Sequence, residues 1–409
     1  MNCRFCTNNL TNVFVDLNNS PPSNAFLNSS NLGEPEVYYP LFLYVCENCF
    51  LVQIDEYKKA NEIFSTDYVY FSSFSSTWLK HCELFSEEII NKLKLNSQSF
   101  VVEIASNDGY LLQYFNKKNI PVLGIEPTQG TANEAISKGI HTEVNFFTES
   151  FARVMASNNK KADLLIGNNV IAHVPDINDF VKGLKCILKV DGTITLEFPH
   201  LLQLIDSCQF DTIYHEHFSY LSFTTIEKIF AAHGLTIYNV EEIPTHGGSL
   251  RIFGQHMEYT GTRPIEKSVN NLREFEKSRR MTQQDYYMEF QNRVNKVKYD
   301  LLEFLVKQKL SGARIAAYGA AAKGNTFLNY CGIKKDMIDF VTDISPYKQG
   351  KYMPGSHIPV VDENEIRRQK PEFIFILPWN IKDEIVHQLS YVKEWNCKFI
   401  VAIPELIIF

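Results

Sequence analysis

The chain has 409 residues, of which 45% are hydrophobic and 13% aromatic, and its formal net charge at pH 7 is -7. A chain of this length is longer than a single hydrophobic core usually accommodates, so two or three domains are expected. The acidic balance without a polybasic run argues against a nucleic-acid partner. The sequence also contains no run of 18 apolar residues, so no membrane span is expected. The first six residues lack the apolar stretch of a signal peptide, so we expect a cytoplasmic protein.

Two Cys-x-x-Cys pairs lie near the N-terminus, about forty residues apart. The pairs are Cys3 with Cys6 and Cys46 with Cys49. Each pair can form a tight turn that presents two thiolates, and two such turns complete a tetrahedral zinc site. Because four sulfur ligands leave no open position, the metal is expected to stabilise the module rather than to take part in chemistry. A single pair would also be compatible with a redox site or with chance.

A cofactor-binding turn is predicted in a central α/β unit. Residues 100–104 form a β-rich run, residues 105–109 a small-residue turn, and residues 110–115 have helical spacing. This order opens a doubly wound sheet, where backbone approaches a bound nucleotide. A second strand, residues 122–125, ends in a carboxylate that can accept both hydroxyls of a ribose. The candidate cofactor ligands are Glu103, Ala105, Asn107, Asp108, Gly109, Glu126 and Pro127.

The turn lacks the Gly-x-Gly-x-x-Gly pattern of dinucleotide enzymes, which favours S-adenosylmethionine over NAD. The alternative is an ordinary βαβ unit with a capping glutamate. Further strands at residues 163–169 and 193–200 flank a helix at 177–188, an order that matches a class I methyltransferase sheet. Asn168, Asn169 and His173 are expected near the cofactor. Phe198 and His200 lie at the end of a strand, where ligands usually bind, although a structural role for His200 is equally compatible.

The run from Tyr214 to Tyr220 (Tyr-His-Glu-His-Phe-Ser-Tyr) places five potential proton carriers in seven residues. An imidazole beside a carboxylate and phenols suits proton abstraction at neutral pH, whereas a polar surface turn is the alternative interpretation. If the run is extended, His215 and His217 face opposite sides, so at most one faces a substrate. Further candidate substrate contacts are His246 and Ser249 at a Gly-Gly turn, and Tyr68 and Tyr70 in a hydroxyl-rich loop for which aromatic packing is the alternative. Arg251 is a candidate phosphate partner, with a structural charge on the sheet surface as the alternative.

The C-terminal third predicts helices followed by a second α/β unit. Residues 264–310 are charged and helically spaced, which indicates one or two solvated linking helices. A strand near residues 313–319 then meets a small-residue turn that opens a helix, whose N-terminus favours anions. Tyr318, Lys323 and Asn325 are the candidate contacts there. A degenerate domain that only braces the site is the alternative.

Taken together, these motifs resemble the bacterial S-adenosylmethionine-dependent sugar C-methyltransferases of deoxysugar pathways, such as those for tetronitrose and mycarose. The resemblance covers essentially the whole chain. It implies an α/β protein with a small N-terminal zinc-binding domain (1–70), a central class I methyltransferase (Rossmann-like) domain (71–262), a helical linker (263–310) and a C-terminal Rossmann-like α/β domain that holds a nucleotide sugar (311–409).

The resemblance also implies the chemistry, which is methyl transfer to C3, beside the C4 ketone of a dTDP- or GDP-linked 4-keto-6-deoxyhexose. His217 corresponds to the family's base, with Tyr214 and Glu216 as orienting groups. Phe71 and Phe74 stand where some relatives carry tyrosine, which leaves the catalytic phenol between Tyr68 and Tyr70. The expected partner is the nucleotide sugar, with no nucleic acid and no membrane, and the expected state is a monomer. The rival functions are an O- or N-methyltransferase, a zinc-stabilised scaffold, and an NAD-dependent epimerase.

Overall fold

The computed structural model describes residues 1–59, 71–259 and 263–409. Within these residues the strands are, in chain order, β1 (Asn12–Ser20), β2 (Tyr39–Val45), β3 (Val52–Ile54), β4 (Val101–Ile104), β5 (Val122–Ile125), β6 (Thr142–Glu143), β7 (Ala162–Asn168), β8 (Leu188–Pro199), β9 (Ser219–Tyr220), β10 (Leu235–Ile243), β11 (Ser249–His256), β12 (Ile315–Tyr318), β13 (Val341–Thr342), β14 (Val360–Val361), β15 (Phe373–Ile376), β16 (Lys398–Val401) and β17 (Ile407–Ile408).

The α-helices of the same residues are α1 (Ser76–Leu93), α2 (Leu112–Asn116), α3 (Gln129–Ser137), α4 (Glu149–Ser157), α5 (Ile177–Ile187), α6 (Leu201–Asp206), α7 (Phe223–Ala232), α8 (Lys267–Ser278), α9 (Gln284–Met288), α10 (Phe290–Leu310), α11 (Ala322–Cys331), α12 (Asn364–Gln369) and α13 (Lys382–Gln388). None of these helices has the length and apolar composition needed to cross a membrane.

The N-terminal sheet has the strand order β1-β2-β3-β9, and every neighbouring pair is antiparallel. Its fourth strand therefore comes from the distant segment that follows the Tyr-His-Glu-His run. Buried Phe14 of β1 packs on the linker, where its ring stacks on that of Phe290 with the centroids 4.7 Å apart. The N-terminal sheet thus shares its core with later parts of the chain, as a small module without enough apolar surface of its own must do.

The central sheet has the order β10-β11-β8-β7-β4-β5-β6. Strands β8, β7, β4, β5 and β6 are parallel, and β10 and β11 form an antiparallel hairpin at one edge. The four residues of β4 are all buried because helices cover both faces, which confirms the doubly wound sheet. The carboxyl ends of β4, β5, β7 and β8 meet along one edge, where ligands of such sheets bind.

The linking helices differ from the solvated helices expected from sequence. Three helices are present rather than one or two, and α10 buries Val294, Leu301 and Leu305 completely. Their spacings of seven and four residues, about two turns and one turn, place them on one face, so a helix that is strongly charged overall still carries an apolar stripe. This stripe joins the core shared by the N-terminal and C-terminal sheets.

The C-terminal sheet has the order β14-β13-β12-β15-β16-β17, parallel except for β17 at the edge. A second Rossmann-like α/β unit is therefore confirmed. Its glycine turn is filled by protein, since a Cβ at Gly319 would lie 2.5 Å from Pro378. Asp343, at the end of β13, accepts the backbone N–H of Ala320 at 2.8 Å and also contacts Lys348. This turn thus satisfies its own polar groups.

Candidate active site

The four predicted metal ligands form one cluster. The sulfur atoms of Cys3, Cys6, Cys46 and Cys49 all lie within 4.8 Å of one another, with the closest pairs at 3.5 Å. Tetrahedral zinc with Zn–S bonds of about 2.3 Å has sulfur atoms separated by about 3.8 Å. The donor set and the spacing therefore fit one zinc ion. Gln53 supports the cluster by donating to Cys3 Sγ at 3.2 Å.

The cofactor turn after β4 has a backbone conformation that few non-glycine residues adopt. Ala105, Asn107 and Gly109 all have positive φ angles, of 56°, 48° and 75°. Left-handed conformations at non-glycine residues cost free energy and concentrate at functional sites. At Gly109 an added Cβ would approach Ile140 to 3.0 Å, so the turn also needs glycine for space.

Glu126, at the end of β5, holds this turn in place. Its carboxylate accepts the backbone N–H groups of Asn107 and Thr128, each at 2.9 Å. Burial raises the pKa of Glu126 above its ordinary value, while these hydrogen bonds oppose the shift. The adjacent Pro127 begins the loop to α3. The carboxylate expected to bind ribose therefore also braces the turn that approaches the cofactor.

Buried acceptors remain along the same edge. Asp108 accepts from Ser73 and, through Oδ2, from Lys138 at 3.3 Å, but its Oδ1 is buried with no hydrogen-bond partner among the described residues. Asn168 Oδ1, at the end of β7, is likewise buried and has no hydrogen-bond partner among the described residues. Buried polar atoms are nearly always satisfied, so these two atoms fit a polar ligand such as the amino acid and ribose groups of S-adenosylmethionine. Glu103 lies beneath the turn, fully buried, and desolvation raises its pKa well above its ordinary value.

The Tyr-His-Glu-His run forms a turn rather than an extended strand. The N–H of His217 donates to the carbonyl of Tyr214 at 3.0 Å. Two further hydrogen bonds fasten the turn to the loop after β7, namely Phe218 N–H to Ala172 O at 2.7 Å and His173 Nδ1 to Glu216 O at 2.8 Å. We refer to residues 214–218, which contain the predicted base His217, as the catalytic turn, and to residues 171–175 as the His173 loop.

His217 is held as a neutral imidazole. Its Nδ1 donates to the carbonyl of Thr212 at 3.1 Å, so the neutral ring carries its lone pair on Nε2. Burial lowers the pKa of His217 well below its ordinary value, and His173, His246 and Lys323 act in the same direction. The rings of Tyr214 and His173 have their centroids 4.1 Å and 4.6 Å from that of His217. The arrangement provides a proton acceptor at neutral pH.

His215 and Glu216 face the N-terminal sheet instead. His215 is buried, donates to the carbonyl of Pro40 at 3.2 Å, and packs edge-on against Tyr39. The Glu216 carboxylate accepts from Asn24 at 2.8 Å, and burial raises its pKa. The expectation that the two histidines face opposite sides agrees with this arrangement, although a turn rather than an extended strand separates them.

Groups from two other parts of the chain face His217. Asn169 contacts His246 with 3.2 Å between Nδ2 and Nε2, and burial lowers the pKa of His246 to about 4. From the C-terminal domain, Lys323 donates to Asn380 at 2.7 Å and lies over the Trp379 ring. The structure therefore brings the predicted residues Asn169, His173, His217, His246 and Lys323 together where the central and C-terminal domains meet, and we refer to this region as the cleft.

Two residues of this cleft, the buried Asp211 and the partly buried Trp379, were not found from the sequence. Asp211 is fully buried and accepts from Trp379 Nε1 at 2.8 Å. A Cβ at Gly247 would approach the same indole to 2.5 Å, so Trp379 packs directly on the Gly-Gly turn. The sequence signal for Trp379 was its position after a predicted strand, where parallel sheets place ligand contacts. No local pattern identifies Asp211.

Two predicted substrate contacts on β8 lie inside the protein. Phe198 is completely buried in the core. His200 is 1% exposed, and its Nε2 forms a 2.7 Å hydrogen bond with the carboxylate of Glu276 on α8. Glu276 also accepts the N–H groups of Phe223 and Thr224 at the start of α7. His200 therefore joins α8 to the sheet and does not face the cleft.

Arg251 and Ser249 on β11 are also enclosed. Arg251 donates to Glu197 at 2.9 Å and to Glu241 at 3.2 Å, and it lies over the Phe85 ring. The Ser249 hydroxyl donates to the carbonyl of Thr245 at 3.0 Å. A phosphate would have to displace two carboxylates to reach Arg251. The alternative of a structural charge therefore fits this side chain better.

Tyr318 and Asn325 are buried within the C-terminal domain. Tyr318 is 6% exposed, and burial raises its pKa to about 12. Asn325 is fully buried on α11, where its Oδ1 accepts from Asn329. Tyr68 and Tyr70 lie outside the described residues.

Comparisons with known proteins match every part of this architecture. A zinc binding domain profile matches residues 3–64, a methyltransferase domain profile residues 79–240, and a C-methyltransferase C-terminal domain profile residues 244–404. C-methyltransferase NovU of Streptomyces niveus is 30% identical over 403 residues, which cover 98% of this chain and 95% of that protein. The chain belongs to this C-methyltransferase family. It is accordingly an S-adenosylmethionine-dependent methyltransferase with a four-cysteine zinc site.

Solved structures match the chain over about half its length. The PH0226 protein from Pyrococcus horikoshii OT3 is 16% identical, with 49% of this chain and 99% of that chain covered and a TM-score of 0.38. An S-adenosylmethionine-dependent methyltransferase from Anabaena variabilis ATCC 29413 is 12% identical, with 50% and 99% covered and a TM-score of 0.40.

Proposed function

We propose that this C-methyltransferase adds a methyl group to C3 of a dTDP- or GDP-linked 4-keto-6-deoxyhexose, and that His217 is the base. The observation that carries the proposal is the state of His217. Its Nδ1 is engaged by Thr212 and its pKa is lowered by burial, so Nε2 can accept a proton without first losing one. A carbon atom needs such a base before methylation, whereas a hydroxyl or amine nucleophile depends on it less.

The reaction is an enolate alkylation. His217 Nε2 takes the proton from C3, the carbon beside the ketone. The C–H electron pair then forms a double bond between C3 and C4 of the sugar, and negative charge develops on the C4 oxygen. When bound, S-adenosylmethionine supplies an electrophilic methyl group. Attack of the enolate carbon on that methyl group would break the methyl–sulfur bond, restore the C4 ketone and leave S-adenosylhomocysteine, after which His217 returns its proton to water. Donors near the C4 oxygen would lower the barrier by stabilising the enolate.

The cleft offers such donors and a place for the diphosphate. The Tyr214 ring lies against that of His217, with the centroids 4.1 Å apart, and Lys323 contributes a cation from the C-terminal domain. Desolvation lowers the pKa of Lys323 while Asp211 opposes that shift, so a bound anion would favour the charged ammonium. The second phenol of the proposal is Tyr70. Glu216 acts through its backbone carbonyl on His173, since its carboxylate is directed to Asn24.

Turnover of dTDP- and GDP-linked 4-keto-6-deoxyhexoses, with mass detection of one added methyl and NMR assignment of its position, tests this function. A methyl on C3 is expected. The ketone acidifies C5 as well, so a methyl on C5 would retain the chemistry and correct the position. Methylation of oxygen or nitrogen, or equal turnover of the corresponding sugars without a ketone, would contradict the proposal.

A further inference from the structure

Among the contacts between the zinc module and the catalytic turn, one comes from the first cysteine turn itself, namely the side chain of Arg4, which lies between the ligands Cys3 and Cys6. Its guanidinium donates to the carbonyl of Pro175 at 2.7 Å and to the carbonyl of Ile54 at 2.5 Å. The same group lies over the Phe218 ring, with 5.3 Å from Cζ to the ring centroid. Arg4 therefore contacts the His173 loop, strand β3 and the catalytic turn at once.

The three segments that Arg4 joins are also those that fix His217. Phe218 N–H donates to the His173 loop, and Phe218 O accepts the N–H of Ile54 at 3.2 Å, which continues into the β3–β9 pairing. A planar guanidinium with several fixed donors can hold two carbonyls and stack on an aromatic ring at the same time, whereas the flexible lysine ammonium cannot reproduce all three contacts. Arg4 therefore holds these three segments together.

The backbone of Arg4 is anchored to the metal site. Its N–H donates to Gln53 at 2.9 Å, and Gln53 in turn donates to Cys3 Sγ at 3.2 Å. On the opposite side Asn178 donates to the carbonyls of Arg4 and Phe5 at 3.1 and 2.9 Å. The position of the guanidinium is therefore set by the cysteine turn itself.

We propose that Arg4 is a positioning residue through which the zinc module fixes the catalytic turn, so that the metal site contributes to catalysis as well as to stability. The inference rests on the proposed role of His217. Displacement of a catalytic group by about 1 Å can lower turnover ~100-fold. Loss of Arg4 would free the carbonyl of Pro175 and the Phe218 ring, while the four sulfur ligands remain.

The test compares Arg4→Met, Arg4→Lys and the control Asn178→Ala, which loosens the same cysteine turn without touching the catalytic turn. Four quantities are measured: zinc per chain, affinity for S-adenosylmethionine, the ¹⁵N signals of the His217 ring in the substrate-free enzyme, and turnover of a dTDP-linked 4-keto-6-deoxyhexose. The His217 signals are identified by their absence in His217→Asn.

For Arg4→Met we expect retained zinc and cofactor affinity, shifted His217 signals, and turnover lowered by ~10- to 100-fold. Arg4→Lys should lie between it and the wild type, and Asn178→Ala should resemble the wild type. Loss of zinc in both Arg4 variants, or unchanged His217 signals and turnover in Arg4→Met, would overturn the inference. If Arg4→Met does not fold, Arg4→Lys with wild-type signals and turnover would also overturn it. The ¹⁵N readout needs no substrate, so failure of the proposed reaction would remain distinguishable from failure of this inference.

Discussion

Replacement of Asp211 by asparagine is expected to stabilise the protein at neutral and alkaline pH. Asp211 is fully buried, and burial raises its pKa from 3.8 to about 6. Its Oδ2 accepts from Trp379, whereas Oδ1 has no hydrogen-bond partner among the described residues. An asparagine of the same shape keeps the acceptor for Trp379 and removes the buried charge. The shift of about two pKa units corresponds to ~3 kcal/mol at ~1.36 kcal/mol per unit.

The pH dependence follows from the direction of the shift. Because the folded state binds the Asp211 proton more tightly than the unfolded state does, this group favours folding at low pH, and the advantage is lost as the pH rises through about 6. Asp211→Asn should therefore raise the unfolding free energy by ~2–3 kcal/mol at pH 8 but only by ~0.5 kcal/mol near pH 4.

Urea denaturation of both proteins from pH 4 to 8 measures this difference, and effects of acid on the zinc site cancel in it. Asp300→Asn, at a partly exposed site on α10, is the control and should show no comparable trend. A variant that is less stable than the wild type at pH 8, or a stability difference independent of pH, would refute the reasoning.

Three further predictions concern the metal, the cofactor and a buried ion pair. Cys46→Ser should lose about one zinc per chain by metal analysis and unfold at lower urea, whereas Cys186→Ser, outside the cluster, should keep the metal; a stable zinc-free variant would contradict this. Glu126→Ala should weaken S-adenosylmethionine binding at least ~10-fold by calorimetry, because both the ribose contact and the brace on the turn are lost; unchanged affinity would place the ribose elsewhere. Arg251→Met should cost ~3–5 kcal/mol of stability in urea, because Glu197 and Glu241 lose their shared cation; a neutral effect would show that the pair is dispensable.

The division into a zinc module and two Rossmann-like units could be derived from the sequence because its signals are local. Strand runs followed by small-residue turns define both Rossmann-like units, and paired cysteines define the zinc cluster. The N-terminal sheet could not be completed in this way. Its fourth strand, Ser219–Tyr220, lies more than 160 residues after β3, and a two-residue strand has no periodicity to detect.

The sequence indicates which residues come together where the end of a strand fixes their position, but not where packing alone decides it. Asn169 and Lys323 follow strands and reach the cleft. His200 and Arg251 also lie near strand ends, yet each is buried against a carboxylate from another element. Sequence alone cannot show these partners, because Glu276 is 76 residues from His200 and approaches it only through the fold of α8. The linker that carries Glu276 was for the same reason expected to be solvated.

Hydrogen exchange at the carbon that is to be methylated tests the central claim most directly. The enzyme is incubated in D₂O with S-adenosylhomocysteine, which cannot donate a methyl group, and a dTDP- or GDP-linked 4-keto-6-deoxyhexose. We expect deuterium at C3 with the wild type and with His215→Asn. In His217→Asn the exchange rate should fall by ~10²- to 10⁴-fold, while the affinity for both ligands is retained. Exchange at the wild-type rate in His217→Asn would show that another group removes the proton.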